Sequence, residues 1–107
     1  MKKQLKAGDV YDLLVRIPEG KITTYGDIAK ALGHPGASRA VGRILNKNQN
    51  PIVVPCHRVV MSDGSIGGYA LGGKTMKKEL LTKEGLRFMG DSMSDFAKSR
   101  VALEKLR

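Results

Sequence analysis

Thr24-Tyr25-Gly26-Asp27-Ile28-Ala29-Lys30-Ala31-Leu32-Gly33-His34-Pro35-Gly36-Ala37-Ser38-Arg39-Ala40-Val41-Gly42-Arg43-Ile44-Leu45 is the stretch that decides the fold. Thr24 followed by Asp27 approximates a capping box, and Ile28, Ala29 and Leu32 recur on one face, which predicts a helix over residues 25–32. Gly33-His34-Pro35-Gly36 must then be a turn. Ser38 can cap a second helix over residues 39–47, with Val41, Ile44 and Leu45 facing inward. Two short helices joined by a tight glycine-containing turn have the shape of a helix-turn-helix. On the second of them Arg39, Arg43 and Lys47 follow at spacings of four and form one basic stripe, which a merely solvated face would also show.

Upstream, Val10, Leu13, Leu14 and Ile17 predict a helix over residues 5–17, ended by Pro18-Glu19-Gly20-Lys21, and Ile22-Thr23-Thr24 is a short extended entry. Downstream, Asn46 to Pro51 is a turn-rich connection into an apolar segment, Ile52-Val53-Val54-Pro55-Cys56-His57-Arg58-Val59-Val60-Met61, expected to be buried and extended. Ser62-Asp63-Gly64-Ser65 carries the Asp-Gly signal of a hairpin or tight turn. The loop Gly67-Gly68-Tyr69-Ala70-Leu71-Gly72-Gly73 lets backbone approach something closely, though without phosphate-loop spacing. A further helix is expected over residues 74–83, with Met76, Leu80 and Leu81 inward, ending near Gly85. Residues 91–107 read as a charged amphipathic helix using Phe96, Ala97, Val101 and Leu103. The fold class is therefore mainly α: a helix-turn-helix core, a short hairpin or wing, and a C-terminal helix.

With 107 residues, 41% of them hydrophobic, the chain is expected to form one domain, residues 1–90, with 91–107 as its helical tail. Its single cysteine cannot close an internal disulfide, and no Cys/His cluster has zinc spacing, so neither a metal nor any other cofactor is expected. No apolar run approaches the roughly 18 residues of a membrane span. The expectation is a cytoplasmic monomer, nucleoid-associated in a prokaryote, without membrane contact. Nineteen Lys and Arg against ten Asp and Glu give a net charge of +9, which favours a polyanionic partner through phosphate contacts and counterion release. Charge and helix pair together point to duplex DNA. With three Tyr, two Phe and no Trp there is little from which to build a single-strand stacking platform.

Cys56 is usually what a lone cysteine is, a small buried hydrophobe. As a nucleophile it would need activation, because a free thiol with a pKa near ~8.5 is only a few per cent thiolate at neutral pH. His57 and Arg58 adjoin it, but neighbours in a strand point to opposite faces, so a Cys-His contact would need a bent backbone or a bridging water. The acid that orients His57 must come from elsewhere, and Glu84 is one candidate among ten acids.

Read in order, Thr24-Tyr25-Gly26-Asp27-Ile28-Ala29, Ser38-Arg39-Ala40-Val41-Gly42, Asn48, Pro55-Cys56-His57-Arg58-Val59, Gly68-Tyr69 and Leu80-Leu81-Thr82-Lys83-Glu84-Gly85 resemble the C-terminal catalytic domain of the O6-alkylguanine-DNA alkyltransferases, also called methylated-DNA–protein-cysteine methyltransferases. The likeness runs over roughly residues 8–86. It implies a winged helix-turn-helix domain that repairs DNA by irreversible, single-turnover transfer of an alkyl group from guanine O6 to its own cysteine. Cys56 would accept the alkyl group, His57 would act as base through a water, and Glu84 would orient and charge-balance the histidine. Tyr25 would donate a hydrogen bond to the guanine ring, Lys77 matches a lysine that assists there, and Asn48 would lock the turn behind the site. Val59 and Cys56 backbone groups, with Tyr69 and Ala70, would surround the base. Arg39 would replace a nucleotide flipped through minor-groove binding, with Tyr25, Ser38, Arg43 and Lys47 as further DNA contacts.

This sequence departs from the family pattern in three ways. The N-terminal domain common in the family is absent from these residues, Ala70 stands where many members have serine in a loop one residue shorter, and residues after about Arg87 have no family role. The alternative is a non-enzymatic alkyltransferase-like damage sensor that recruits other repair proteins; such proteins typically lack the cysteine that Cys56 provides. A helix-turn-helix regulator with a buried thiol is a third reading.

Overall fold

The computed structural model describes residues 5–47, 54–69 and 72–101. In chain order these form α1 (Ala7–Leu14), β1 (Thr23–Thr24), α2 (Tyr25–Ala31), α3 (Ser38–Asn46), a 3-10 turn (Cys56–Arg58), β2 (Val59–Val60), α4 (Gly73–Lys83), β3 (Phe88–Met89), β4 (Ser92–Met93) and α5 (Phe96–Ser99). The short strands β1 and β2 run parallel, pairing Thr23 with Val59 and Thr24 with Val60. A parallel pair needs a long crossover, which here contains α2 and α3.

Side chains alternate across β2, so this pair separates two apolar layers. Val59 joins Val10, Leu14, Ile17, Ile28, Val41 and Cys56 beneath the helices. Val60 joins Ile22, Leu81, Leu86 and Met93 on the C-terminal side, where Phe88 and Phe96 pack against them. The cysteine turn is thus wedged at the seam between the layers.

Helix α1 is shorter than its apolar pattern predicts. After Leu14 the chain tightens, with Arg16 N donating to Leu13 O at 3.2 Å and Ile17 N to Leu14 O at 2.9 Å. Pro18 disfavours helical geometry at Ile17, which remains buried nonetheless. The Thr24 cap of α2 is present, its Oγ1 accepting from Asp27 N at 3.0 Å. For α3 the N-cap is Ala37, with no side-chain cap, and Ser38 is the first helical residue. The turn closes through Ala37 N to His34 O at 3.0 Å, and Ala37 O accepts the first helical bond from Val41, which moves the helix start one residue back from the sequence reading.

The expected extended geometry at Cys56 is not what forms. Pro55, with φ −77° and ψ 67°, is the centre of an inverse γ-turn in which Cys56 N donates to Val54 O at 2.8 Å. The 3-10 turn follows at once, and extension resumes only at Val59. The proline ring supplies the φ that this bend requires.

In α4 the expected inward Met76 is exposed, Lys77 is fully buried, Leu81 is buried and Leu80 is half-buried. Residues 91–101 are not a continuous helix: β3 and β4 form an antiparallel hairpin, and only Phe96–Ser99 is helical. Gly90, at φ 60°, turns the hairpin, and Asp95, at φ 57°, breaks the chain direction before α5. Ala97 belongs to that short helix, whereas Leu103 lies outside the described residues. The Asp63-Gly64 turn is formed, with Gly64 N donating to Met61 O at 3.0 Å and Ser65 N to Asp63 Oδ1 at 2.9 Å. It is the wing.

The two adjacent threonines make opposite contributions. Thr23 Oγ1 is buried without a hydrogen-bond partner among the described residues, whereas Thr24 caps α2. Thr24→Val is expected to cost about 1 kcal/mol and lower Tm by roughly 4–8 °C. Thr23→Val, which removes an unsatisfied hydroxyl at nearly constant shape, is expected to leave stability equal or higher; thermal melts of the two variants check both.

Candidate active site and nucleic-acid interface

The γ-turn at Pro55 and the 3-10 turn behind it aim Cys56 inward, where the residue is 6% exposed. His57 is buried beside it and meets Glu84, the residue that ends α4, at 2.8 Å between Nε2 and Oε2. Glu84 also receives the Arg58 guanidinium, Nη2 to Oε2 at 2.8 Å and Nε to Oε1 at 3.0 Å, and Gly20 N at 3.3 Å. Arg58 Nη1 donates onward to Ile17 O at 2.8 Å. Burial alone would raise the Glu84 pKa; the hydrogen bonds from Arg58, His57 and Gly20 together overcome it and hold the carboxylate below its usual range.

An ionised carboxylate has no proton to give, so the His57 nitrogen facing it, Nε2, carries the hydrogen. In the neutral imidazole Nδ1 is then the acceptor. It is buried and has no hydrogen-bond partner among the described residues.

Around the thiol stand Tyr25, Tyr69 and Lys77. Burial raises the pKa of both tyrosines, with a further push from the charge of Cys56, to which Tyr69 also hydrogen-bonds. The phenols therefore stay protonated and able to donate. Lys77, 0% exposed, donates to Gly68 O at 3.0 Å, reaches the Tyr25 hydroxyl at 3.5 Å and lies 5.7 Å from the centre of its ring. Burial pulls its pKa down to about 8, opposed by the charge of Cys56.

A cavity of about 280 Å³ opens between α3 and the wing, lined by Tyr25, Ser38, Arg39, Gly42, Asn46, Met61, Ser62 and Gly68. Arg39 is on its rim and exposed; Arg43 and Lys47 are exposed but do not line it, so the basic stripe is divided between the cavity and the flank. Val59 is fully buried in the β1–β2 pair. Asn48 and Ala70 lie outside the described residues. The sequence reading did not anticipate the Arg58–Glu84 pair or Met61 and Ser62 in the cavity wall. Arg58 carried one clue, a charge within an apolar run, but spacing could not name its partner. Among the described residues no group of three His, Cys, Asp or Glu is placed to hold a metal, and no helix is long and apolar enough to cross a membrane.

Residues 7–86 match the family described as 6-O-methylguanine DNA methyltransferase, DNA binding domain. The chain belongs to this family. A methylated-DNA–protein-cysteine methyltransferase from Methanosarcina acetivorans is 50% identical over 71% of this chain and 48% of its own length. A bifunctional methyltransferase/endonuclease from Picrophilus torridus is 56% identical over 59% of this chain and 21% of its own. The chain thus spans about half or less of the length of these relatives. Among solved structures, Schizosaccharomyces pombe Atl1 in complex with damaged DNA containing O6-carboxymethylguanine is similar with a TM-score of 0.79, at 28% identity, over 95% of this chain and 99% of that one. Mycobacterium tuberculosis OGT in complex with DNA is similar with a TM-score of 0.72, at 40% identity, over 78% and 51%. This methyltransferase-family domain has the mainly α, winged helix-turn-helix architecture of those neighbours.

Lys77 offers a test of how far the site departs from maximal stability. Its pKa is about 8 folded and 10.5 when solvated, so the folded state is penalised below pH 8 and the penalty disappears as pH rises towards 10.5. The difference is about 3 kcal/mol. Lys77→Met, whose loss leaves the exposed Gly68 carbonyl to water, is expected to raise Tm at pH 7 and to raise it less near pH 10, as parallel melts will measure.

Proposed function

We propose that this domain repairs duplex DNA by transferring an alkyl group, in the simplest case methyl, from guanine O6 to Cys56 in a single irreversible turnover. The observation that carries the reading is the placement of the chain's one cysteine among two protonated phenols and a buried lysine, with a histidine–carboxylate pair at the next residue.

Each part has a chemical task. His57, with Nε2–H fixed on Glu84, presents the Nδ1 lone pair to take the thiol proton through a water. The Sγ thiolate attacks the alkyl carbon in line with the C–O6 bond. As the S–C bond forms, the C–O6 bond breaks and its electron pair moves into the guanine ring. Tyr25, backed by the cation of Lys77, donates a hydrogen bond where that charge develops and passes its proton to the ring, leaving an unmodified guanine. The thiol proton held by His57 returns through water to restore the phenol. The other product is a thioether, which nothing in this site cleaves, so each molecule acts once. A stacked base is out of reach of a thiol this deep; Arg39 on the cavity rim would fill the gap when the nucleotide turns out, and the net charge of +9 would hold the duplex.

The likeness to Atl1 over nearly its full length favours a second reading, recognition of damaged DNA without transfer. Intact mass separates the two. After incubation with an O6-methylguanine duplex the protein is expected to gain one methyl group; an unchanged mass for folded, DNA-bound protein supports the second reading. Cys56→Ser is expected to abolish the gain and retain binding, and Tyr25→Phe to slow it about a hundredfold. Arg39→Ala is expected to weaken lesion binding with no change in Tm, followed by fluorescence anisotropy and melting.

A further inference from the structure

Residues 88–101 lie beyond the family match at 7–86 and have no part in the chemistry above. They nevertheless touch both elements that carry the walls of the cavity lined by Tyr25 and Arg39, the wing and α2. On the wing, Met93 N donates to Gly64 O at 2.9 Å and Ile66 N to Asp91 O at 2.8 Å, while Ser65 and Ser92 form an antiparallel bridge. The Phe96 ring fills the space behind Gly64, where a Cβ would meet it at 3.2 Å.

On the opposite wall Arg100 grips Asp27, in the first turn of α2, by two charge-assisted bonds of 2.7 Å from Nε and Nη2. That hydrogen bonding, more than the accompanying charge, holds the Asp27 carboxyl below its usual range. The guanidinium lies 5.4 Å from the centre of the Phe96 ring, so one side chain spans from the wing's support to α2. Just upstream, the backbone of Ile22 is held on both sides, Ile22 N donating to Ser99 O and Val101 N to Ile22 O, each at 2.9 Å. The walls approach each other at Gly26 and Ser62, where a Cβ on the glycine would come within 3.3 Å of the serine Oγ.

We propose that residues 88–101 are a brace that sets the width of this cavity, and that Arg100 is its positioning residue, acting through Asp27 on the first turn of α2 and hence on Tyr25. What the cavity receives, a nucleotide turned out of the duplex, rests on the alkyl-transfer reading. The physical need is clear: a helix of seven residues has no stable orientation of its own, so tertiary contacts must supply it. A donor displaced by about 1 Å can lose a hundredfold in rate. The Arg100–Asp27 pair is partly exposed and so adds little to global stability, which lets position and stability be measured apart.

The test is a double-mutant cycle on the full chain with Arg100→Gln, Asp27→Asn and both together. The readouts are single-turnover methyl transfer from an O6-methylguanine duplex, affinity for the same duplex across a salt series, and Tm. Each single variant is expected to lose about fivefold in rate and affinity, the double variant no more than either, and Arg100→Lys to recover part of the loss. The salt dependence is expected to stay that of the wild type. Additive losses, or a salt slope lowered by about one in Arg100→Gln alone, would make Arg100 a phosphate contact and overturn the brace. A change confined to Tm would overturn it as well. If the wild-type protein gains no methyl group the alkyl-transfer reading fails, and the brace is then decided by the affinity cycle.

Discussion

The Glu84 carboxylate gathers three parts of the chain at one buried point. It receives the His57 imidazole and the Arg58 guanidinium from the cysteine turn, and Gly20 N from the connection between α1 and β1. A charge with little access to solvent is tolerated only where its partners are complete, and removing one leaves the others exposed to the full desolvation cost. The end of α4, the cysteine turn and the α1–β1 connection are therefore locked as a set. This lock also fixes the rotation of α4 about its axis. Lys77 lies seven residues before Glu84, about two helical turns, so orienting the carboxylate inward brings the lysine in as well. A buried lysine that hydropathy would never choose is thus the consequence of a carboxylate that the histidine requires.

That coupling explains which features could be read from sequence. The helix pair was legible because its signals are local: Thr24 beside Asp27, and glycine and proline between two apolar faces. The parallel pairing of Thr23 with Val59 was not, since nothing near either residue names the other. Valines on both sides of Cys56 suggested a buried, extended segment, but Pro55 supplies the φ of a γ-turn and the backbone bends there. The rotation of α4 was misjudged at Met76, because apolar residues are assumed to face inward unless a charge partner is known. The tail looked amphipathic at helical spacing, yet Gly90 and Asp95 in left-handed geometry divide residues 88–101 into a hairpin and one short helical turn. Roles at Cys56, His57, Glu84 and Tyr25 came from the ordered resemblance, and the distances here show which of those side chains meet.

Charge and chemistry are separated in this molecule. Arg39, Arg43 and Lys47 are exposed on α3, where they can act on a polyanion at a distance, whereas the thiol is set among buried and half-buried groups. The outer charges favour duplex DNA of any sequence. On the proposed function, discrimination of a damaged base would fall to the inner groups, which are too deep to meet a nucleotide still in its stack. Affinity and selectivity can consequently be altered by different substitutions, one set on the helix surface and the other around the turn.

The depth of Cys56, packed with Val59 and Val41 in the helical layer, has a further meaning under the proposed single transfer. An ordinary enzyme must let its product go, and a reactive atom at the bottom of a packed core would slow every cycle. Under that proposal the transferred carbon would stay on the sulfur, so the sulfur would need an entrance but no exit, and its walls can close around it as tightly as side chains pack elsewhere in the core.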